Sequence, residues 1–241
     1  MLKLICAEFK KLRRRRELFF MLLAALIMPA ISLFYFCTHQ DILSDIGLYK
    51  QAIFSFNVFL ILPALLGILS ATIVYKERSD DVLKQLWIVP VRRENFLIAK
   101  WSVTLAFALA FMMGSELFTI SVGLLLNLLS FDIGLIVFVL LQGIKAAAVL
   151  SLSNIPILAT ALFSKGYLIP CCAAIVYAFL GFIFASTSPY IIPSASAIFY
   201  ISHDLPNVEF PQAYDPLSII MCFSAWTLLS IMIALKGMER E

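Results

Sequence analysis

Two ionisable side chains, Glu116 and Lys145, stand inside long apolar runs of this 241-residue chain. A charge in the hydrocarbon of a bilayer is costly, so such residues usually pair with one another or line a functional pathway. Both lie at similar distances from residues 127–133, the short segment that joins their runs, and the two helices would be antiparallel neighbours. We therefore predict an ion pair between Glu116 and Lys145, with a polar pathway or a proton relay as the alternative.

A second concentration of polar chemistry, residues 75–100, separates two apolar runs and holds ten charged residues. Ser79 suits a helix N-cap, and Asp80 and Asp81 would fall in the first turn, where carboxylates favour the helix dipole. Pro90 ends the pattern. In between, an apolar ridge recurs at helical spacing and consists of Val82, Leu83, Leu86 and Trp87. The segment predicts a short amphipathic helix that either docks on a partner or rests on the bilayer surface.

Sequence signatures of enzymes are missing from the chain, which has no GxxxxGKS/T, HExxH or GxSxG motif. Neither His39 nor His203 has a metal partner at ligand spacing, and the five cysteines include no CxxC pair. The basic residues lie beside apolar runs, as topology signals do, and form no patch typical of nucleic-acid binding. We expect no catalytic residue, no metal site, no cofactor held by this chain and no nucleic acid partner.

Composition and hydropathy predict a membrane protein. Hydrophobic residues make up 62% of the chain and charged residues 14%, whereas a soluble domain is about half apolar and about a quarter charged. Residues 1–17 form a basic amphipathic pattern typical of a helix in the membrane interface. Six apolar runs reach the roughly 20 residues that a bilayer requires: 18–37, 52–74, 96–126, 134–163, 167–187 and 217–235. The expected fold is all-α, a single transmembrane domain over residues 1–241, with six transmembrane helices preceded by an N-terminal amphipathic interfacial helix.

Orientation follows from the distribution of Lys and Arg, which concentrate in cytoplasmic segments. Sixteen of the eighteen lie in residues 1–17, 75–100, 164–166 and 236–241, so we predict that both termini and residues 75–100 are cytoplasmic. The opposite face would then carry an excess of acidic residues. The longest external segment, residues 188–216, is apolar and broken by prolines. We expect it to be re-entrant or interfacial, with a plain surface loop as the alternative.

The order of residues in the 75–100 segment resembles that of permease subunits of ABC type-2 (ABC-2) exporters. In that family a Glu, a short helix with hydrophobic residues, a Pro, a basic residue and a Lys entering the third span follow one another. Two departures, Asp80–Asp81 where the family often has Gly and Arg92 where it often has Ser, concern the docking contacts. The six spans, the amphipathic start and the hydrophobic external segment match as well, so the resemblance covers the whole chain. The matching loop residues are Glu77, Val82–Leu83, Leu86, Pro90, Arg92–Arg93 and Lys100.

The resemblance implies a transport subunit that has no ATPase activity of its own. Two copies of a separate ABC ATPase subunit would bind ATP and Mg²⁺ and grip the loop helix. Glu77, Arg78, Asp80 and Asp81 would pair with charges on the ATPase, while the apolar ridge fills its groove and Pro90 closes the helix. A second permease chain, identical or a sister subunit, would complete the pore.

Length and general style are most similar to permeases of lantibiotic immunity transporters in Gram-positive bacteria. That resemblance implies an amphipathic antimicrobial peptide as substrate, removed from the lipid of the bacterial cytoplasmic membrane, and an acidic external face would suit such cargo. Two other functions compete with this one. The first is an ion-coupled secondary transporter that works through Glu116 and Lys145, and the second is a membrane scaffold or sensor that transports nothing.

Overall fold

The described part of the chain is helical, and no strand occurs in it. Six helical segments are long and apolar enough to cross a membrane, and a separate helix precedes them. The predicted all-α membrane fold with six spans and an N-terminal helix is therefore confirmed. The computed structural model describes residues 2–13, 16–39, 45–79, 93–164, 166–205, 208 and 212–239. The six segments are Arg16–Thr38, Asp45–Ser79, Asn95–Leu125, Ile133–Phe163, Leu168–Thr187 and Pro216–Lys236.

The N-terminal helix α1 spans Leu2–Arg13 and packs against the start of the third span. The first span follows as α2 (Arg16–Leu23) and α3 (Ile27–Thr38), which a short 3₁₀ turn at Ala24–Leu26 joins. Its hydrophobic side chains are largely exposed, as expected for a helix that faces lipid on most of its surface.

The second span is longer than its apolar run predicts. It begins with α4 (Asp45–Tyr49), continues through π-helical turns at Lys50–Phe54 and Asn57–Ile61, and ends with α5 (Leu62–Ser79). The buried Asn57 donates hydrogen bonds from its side-chain amide to the carbonyls of Ala25 and Ala52, at 3.3 and 3.5 Å. A π turn leaves carbonyl groups without their usual helical donor, so a buried amide beside it is a stabilising partner.

The third span is the helix α6 (Arg93–Leu125), whereas the fourth is divided into α7 (Ile133–Ser153) and α8 (Ile155–Phe163). The division falls at Asn154, because Pro156 in the first turn of α8 cannot donate a helical hydrogen bond. The side-chain amide of Asn154 instead donates to the Ser70 hydroxyl at 2.8 Å, which fastens the bend to α5.

The fifth span is α9 (Leu168–Thr187), the helix α10 (Pro193–His203) follows it, and the sixth span is α11 (Pro216–Glu239). Where α10 approaches α9, a Cβ on Gly181 would overlap Ser194. The Trp226 indole, near the middle of α11, donates to the Ile191 carbonyl at 2.9 Å. Residues 188–192 thus lie beside the middle of a span, and their membrane re-entry stays a prediction.

The two ends of the bundle differ in what they hold. One end, called the base here, contains α1, the C-terminal ends of α5 and α8, and the N-terminal end of α6. A small buried apolar cluster closes it, and its members include Val74, Phe96, Leu162 and Ala234. The opposite end, called the far end, contains α10 and the turn between α6 and α7.

Candidate functional site

Four charged side chains meet at the base and form what we call the charge cluster: Glu8, Lys11, Glu77 and Lys100. The Lys100 ammonium lies 2.6 Å from a carboxylate oxygen of Glu8 and 2.6 Å from one of Glu77. The Lys11 ammonium lies 2.8 Å from Glu77 and 3.0 Å from Glu8. Each cation therefore touches both anions, and the cluster is neutral as a whole.

The charge cluster is buried to a degree that is uncommon for charges in proteins. Lys100 is 1% exposed, Glu8 3% and Glu77 4%, whereas the Lys11 side chain is 38% exposed and closes the solvent side. Removing one member of such a group leaves an opposite charge buried without compensation, which typically costs about 3–5 kcal/mol. The arrangement therefore ties together the three helices that supply it.

Each member of the charge cluster occupies a position on its helix that faces the other two helices. Glu8 and Lys11 are three residues apart on α1 and share one face of that helix. Glu77 lies in the last turn of α5, and Lys100 lies near the start of α6, where the ring of Phe96 supports its ammonium at 5.0 Å from the ring centroid. The cluster thus joins both helices that border residues 80–92 to the N-terminal helix.

The two members on α1 are tuned towards their charged forms. Burial alone would raise the pKa of Glu8, but the charges and hydrogen bonds of Lys100 and Lys11 outweigh it and hold that pKa below its usual range. Burial would likewise lower the pKa of Lys11, yet hydrogen bonds and attraction from Glu77 and Glu8 raise it. Both groups are therefore charged at neutral pH.

Two further side chains of the last turn of α5 also find partners inside the chain. The Arg78 guanidinium donates to the carbonyls of Leu162, at 2.9 Å, and of Ser164, at the C-terminal end of α8. A cation suits that position because helix C-terminal carbonyls carry partial negative charge. Lys76 pairs with Glu17 at 2.6 Å, and both of these side chains are exposed. The end of α5 is thereby fastened to α1, α2, α6 and α8.

The sequence predicts that Glu77 and Arg78 pair with charges on an ATPase. Within the chain, Glu77 pairs with Lys100 and Arg78 donates to the end of α8. Ser79, the predicted N-cap of the loop helix, is the last residue of α5, and the helix that it would cap lies outside the described residues. The other coupling residues lie outside the described residues: Asp80, Asp81, Val82, Leu83, Leu86, Trp87 and Pro90.

The predicted ion pair between Glu116 and Lys145 is not formed. Glu116 is fully buried, its carboxylate lies against Gly143 of α7, and neither oxygen has a hydrogen-bond partner among the described residues. Gly143 and Lys145 are two residues apart, which places them on nearly opposite sides of a helix that turns about 100° per residue. The prediction was wrong about the side of α7 that Lys145 occupies.

Lys145 instead contacts the far end. Its ammonium pairs with Asp204, which follows α10, and lies 4.0 Å from the centroid of the Tyr200 ring. Burial alone would raise the pKa of Asp204, but the hydrogen bond and charge of Lys145, with a smaller contribution from His203, lower it. The pair is partly exposed, at 22% for the Lys145 side chain and 45% for that of Asp204.

Sequence reasoning did not identify Glu8 and Lys11 as members of a site. One signal was available, because Glu8 is the single acidic residue among the first sixteen. A single acidic residue at the centre of a basic segment indicates that its carboxylate pairs with a cation. The identity of that cation, Lys100, depends on how α1 packs on α6, and no local pattern encodes that packing.

The fold defines a class of protein. Six helices long and apolar enough to cross a membrane indicate a multi-pass membrane protein, and the described residues contain no group of side chains that could hold a metal ion.

Comparison with protein families matches residues 4–181 to the ABC-2 family transporter proteins. The match covers well over half of the chain, which therefore belongs to the ABC-2 family. As a member it is a multi-pass membrane permease of an ABC transporter, the transport component that associates with an ABC ATPase and is not itself catalytic. No curated protein sequence matches the chain.

Proposed function

We propose that this permease is the membrane subunit of an ATP-driven exporter, and that the charge cluster transmits the movement of the ATPase to the membrane helices. The observation that carries the proposal is the pair of contacts made by Lys100, which joins α5 to α1 across α6 at the base. Glu77 lies three residues before residues 80–92 and Lys100 eight residues after them, so both helices that border this loop take part in these contacts.

A force on residues 80–92 would act on a connected frame. If α5 and α6 moved apart, α1 could follow only one of them. Either Lys100 would then lose both of its carboxylates or Glu77 would lose both of its lysines, at a cost of several kcal/mol. Movement of α5, α6 and α1 as one unit keeps all four contacts. The frame extends to α8 through Arg78, so that movement would also reach the fourth span.

In this mechanism the loop residues contact the ATPase and the residues behind them hold the loop in place. The apolar ridge of Val82, Leu83, Leu86 and Trp87 would fill a groove on the ATPase, and Asp80 and Asp81 would pair with its charges. Glu77 and Arg78 position the loop. Two ATPase copies would bind ATP and Mg²⁺, and a second permease chain, identical or a sister subunit, would complete the path.

The proposed orientation places both termini and residues 80–92 in the cytoplasm of a bacterial cell, because sixteen of the eighteen Lys and Arg lie on that side. The far end would then face outwards. Besides Lys50 and the Lys145–Asp204 pair, it carries Asp45, Asp132 and Asp215 among its described residues, and this acidic excess supports an amphipathic, cationic antimicrobial peptide as the cargo. Self-protection against a lantibiotic is the physiological role that fits such cargo.

The competing function of an ion-coupled secondary transporter loses its structural basis. It required Glu116 and Lys145 to act together, and these two side chains lie on different sides of α7. A scaffold without transport is disfavoured because the family is one of transporters.

Co-purification tests the proposed coupling. The tagged chain is isolated from its native membrane, and the ABC ATPase that accompanies it is identified by mass spectrometry. We expect Leu83→Asp and Trp87→Asp to abolish that association while the permease stays folded. Leu125→Asp is the matched control, because Leu125 is 80% exposed at the far end and should leave the association intact. Retention of the ATPase by both loop variants, or its absence from the native complex, would refute the proposal.

A separate assay tests the cargo. Cells that express the permease with its ATPase are challenged with a cationic lantibiotic and with an anionic amphipathic peptide of similar length. Protection against the cationic peptide, lost in Trp87→Asp, is the expected result. Equal sensitivity with and without the transporter would rule out this cargo but would leave the coupling mechanism standing.

A further inference from the structure

An apolar groove of about 570 Å³ lies between α7, α10 and α11 at the far end. Its volume falls within the range of roughly 300–1,000 Å³ that is common for small-molecule sites. Leu152 of α7 forms one wall, and Ile220, Phe223 and Thr227 of α11 form the opposite wall. Leu152 and Ile220 are exposed at 40% and 63%, so the groove opens sideways from two spans towards lipid.

The groove has a polar mouth. Tyr200 and Tyr214 line it, and tyrosines concentrate where the hydrocarbon meets the headgroups of a bilayer. The Lys145 ammonium lies over the Tyr200 ring, and the ring of Tyr214 stacks on His203 at 3.9 Å between centroids. Lys145 is also one helical turn from Val149, which lines the groove, so its side chain and the apolar wall share a face of α7.

The length of the groove matches one leaflet. It follows α11 from Pro216 to Thr227, a distance of about 16 Å at about 1.5 Å per residue. The hydrocarbon of a bilayer is about 30 Å thick, so one leaflet provides about half of that. An apolar slot of one-leaflet length with a cation at its mouth is complementary to one acyl chain and the phosphate of its headgroup.

We propose that this groove binds an anionic phospholipid of the far-end leaflet, with one acyl chain between α7 and α11 and the headgroup phosphate at Lys145. In the orientation proposed above, this is the outer leaflet. The lipid phosphate exchanges with Asp204 for the Lys145 ammonium, which a partly exposed salt bridge permits because such pairs contribute little net stability. Asp204 then turns towards solvent.

Photo-crosslinking of the full chain in lipid vesicles tests this site. The probe is phosphatidylglycerol with a diazirine in one acyl chain, diluted in phosphatidylcholine vesicles, and labelled peptides are mapped by mass spectrometry. We expect labelling to concentrate in peptides that contain residues 149–152 and 216–227. Ile220→Trp fills the groove and should reduce that labelling several-fold. Ile183→Trp is the matched control, because Ile183 is 55% exposed on α9, away from the groove, and should leave the labelling unchanged.

The headgroup is tested separately with Lys145→Gln. We expect this variant to lower the preference of the groove for phosphatidylglycerol over a phosphatidylcholine probe by about fivefold, the effect of one cation near an anionic headgroup. Labelling spread evenly over all lipid-facing helices, or groove labelling unchanged by Ile220→Trp, would overturn the proposal. If Ile220→Trp instead separates permease dimers on native gels without altering the labelling, a second copy of the chain covers the groove and the lipid site is disproved.

Discussion

Lys100 and Glu77 lie 2.6 Å apart across the two helices that border residues 80–92. Neither side chain is more than 4% exposed, and Glu8 completes the pairing from the N-terminal helix. The two helices that border residues 80–92 are therefore joined to each other and to α1 by buried ion pairs. The proposed mechanism requires this contact to keep α5 and α6 together, and substitution of its members tests that requirement.

Lys100→Met should destabilise the protein by about 3–5 kcal/mol, because it leaves Glu8 and Glu77 buried with Lys11 as their remaining cation. The double variant Glu77→Gln with Lys100→Met should cost less than the sum of the two single changes, since the partner charge is removed as well. Thermal unfolding of the purified protein in detergent measures all three. Lys76→Met, which breaks an exposed pair with Glu17, should cost less than about 1 kcal/mol. Additive losses would show that the pair is not coupled.

Lowering the pH should weaken the attachment of α1 to the other helices, because Glu8 becomes protonated. Its folded pKa lies below the ordinary 4.5, so its contribution to stability is fully present above pH 4.5 and is lost as the pH falls through the lowered folded value. Glu8→Gln should remove this part of the pH dependence of the melting temperature. Glu17→Gln is the control, because Glu17 is 57% exposed on its side chain and lies outside the charge cluster. Identical pH profiles for the native chain and Glu8→Gln would contradict the prediction.

The number and position of the spans could be predicted because hydropathy is a sum over neighbouring residues. The second span shows where that sum is insufficient: its apolar run ends at residue 74, yet α5 continues to Ser79. Lys76, Glu77 and Arg78 stay helical because each has a partner on another helix. Those partners are distant in sequence, so hydropathy underestimates the helix.

The candidate site could be predicted only in part, for the same reason. Glu77 and Lys100 were recognised from the order of residues in the loop, but their direct contact and the role of Glu8 depend on how three helices pack. Glu116 and Lys145 illustrate the converse. Counting residues gave similar depths, but the angle about the helix axis depends on tertiary packing, and Lys145 pairs with Asp204 instead.

Close packing between α5 and α9 depends on Gly67. A Cβ at this position would overlap the Cβ of Ala174 and would come within 3.2 Å of both the Ala174 Cα and Ile157. Ala174 has no flexible side chain that could give way, so Gly67→Ala should destabilise the protein by about 1–3 kcal/mol. Ala174→Gly in the same chain should recover most of the loss. Gly114→Ala is the matched control, because nothing lies within 4 Å of the added Cβ, and its melting temperature should be equal or higher.

Arg78 should hold the C-terminal end of α8 by a bond that Lys cannot replace. Its planar guanidinium donates to two carbonyls, those of Leu162 and Ser164, whereas an ammonium on a flexible stem does not offer the same fork. Arg78→Lys should therefore speed hydrogen exchange of the last turn of α8 by about tenfold, the loss expected for one charge-assisted hydrogen bond. Lys76→Ala, in the same turn of α5 but paired with Glu17, should leave exchange in α8 unchanged. If the two variants loosen α8 equally, the effect belongs to the charge of this turn and not to the guanidinium. If neither does, α8 is held by its apolar contacts alone and the frame ends at α6.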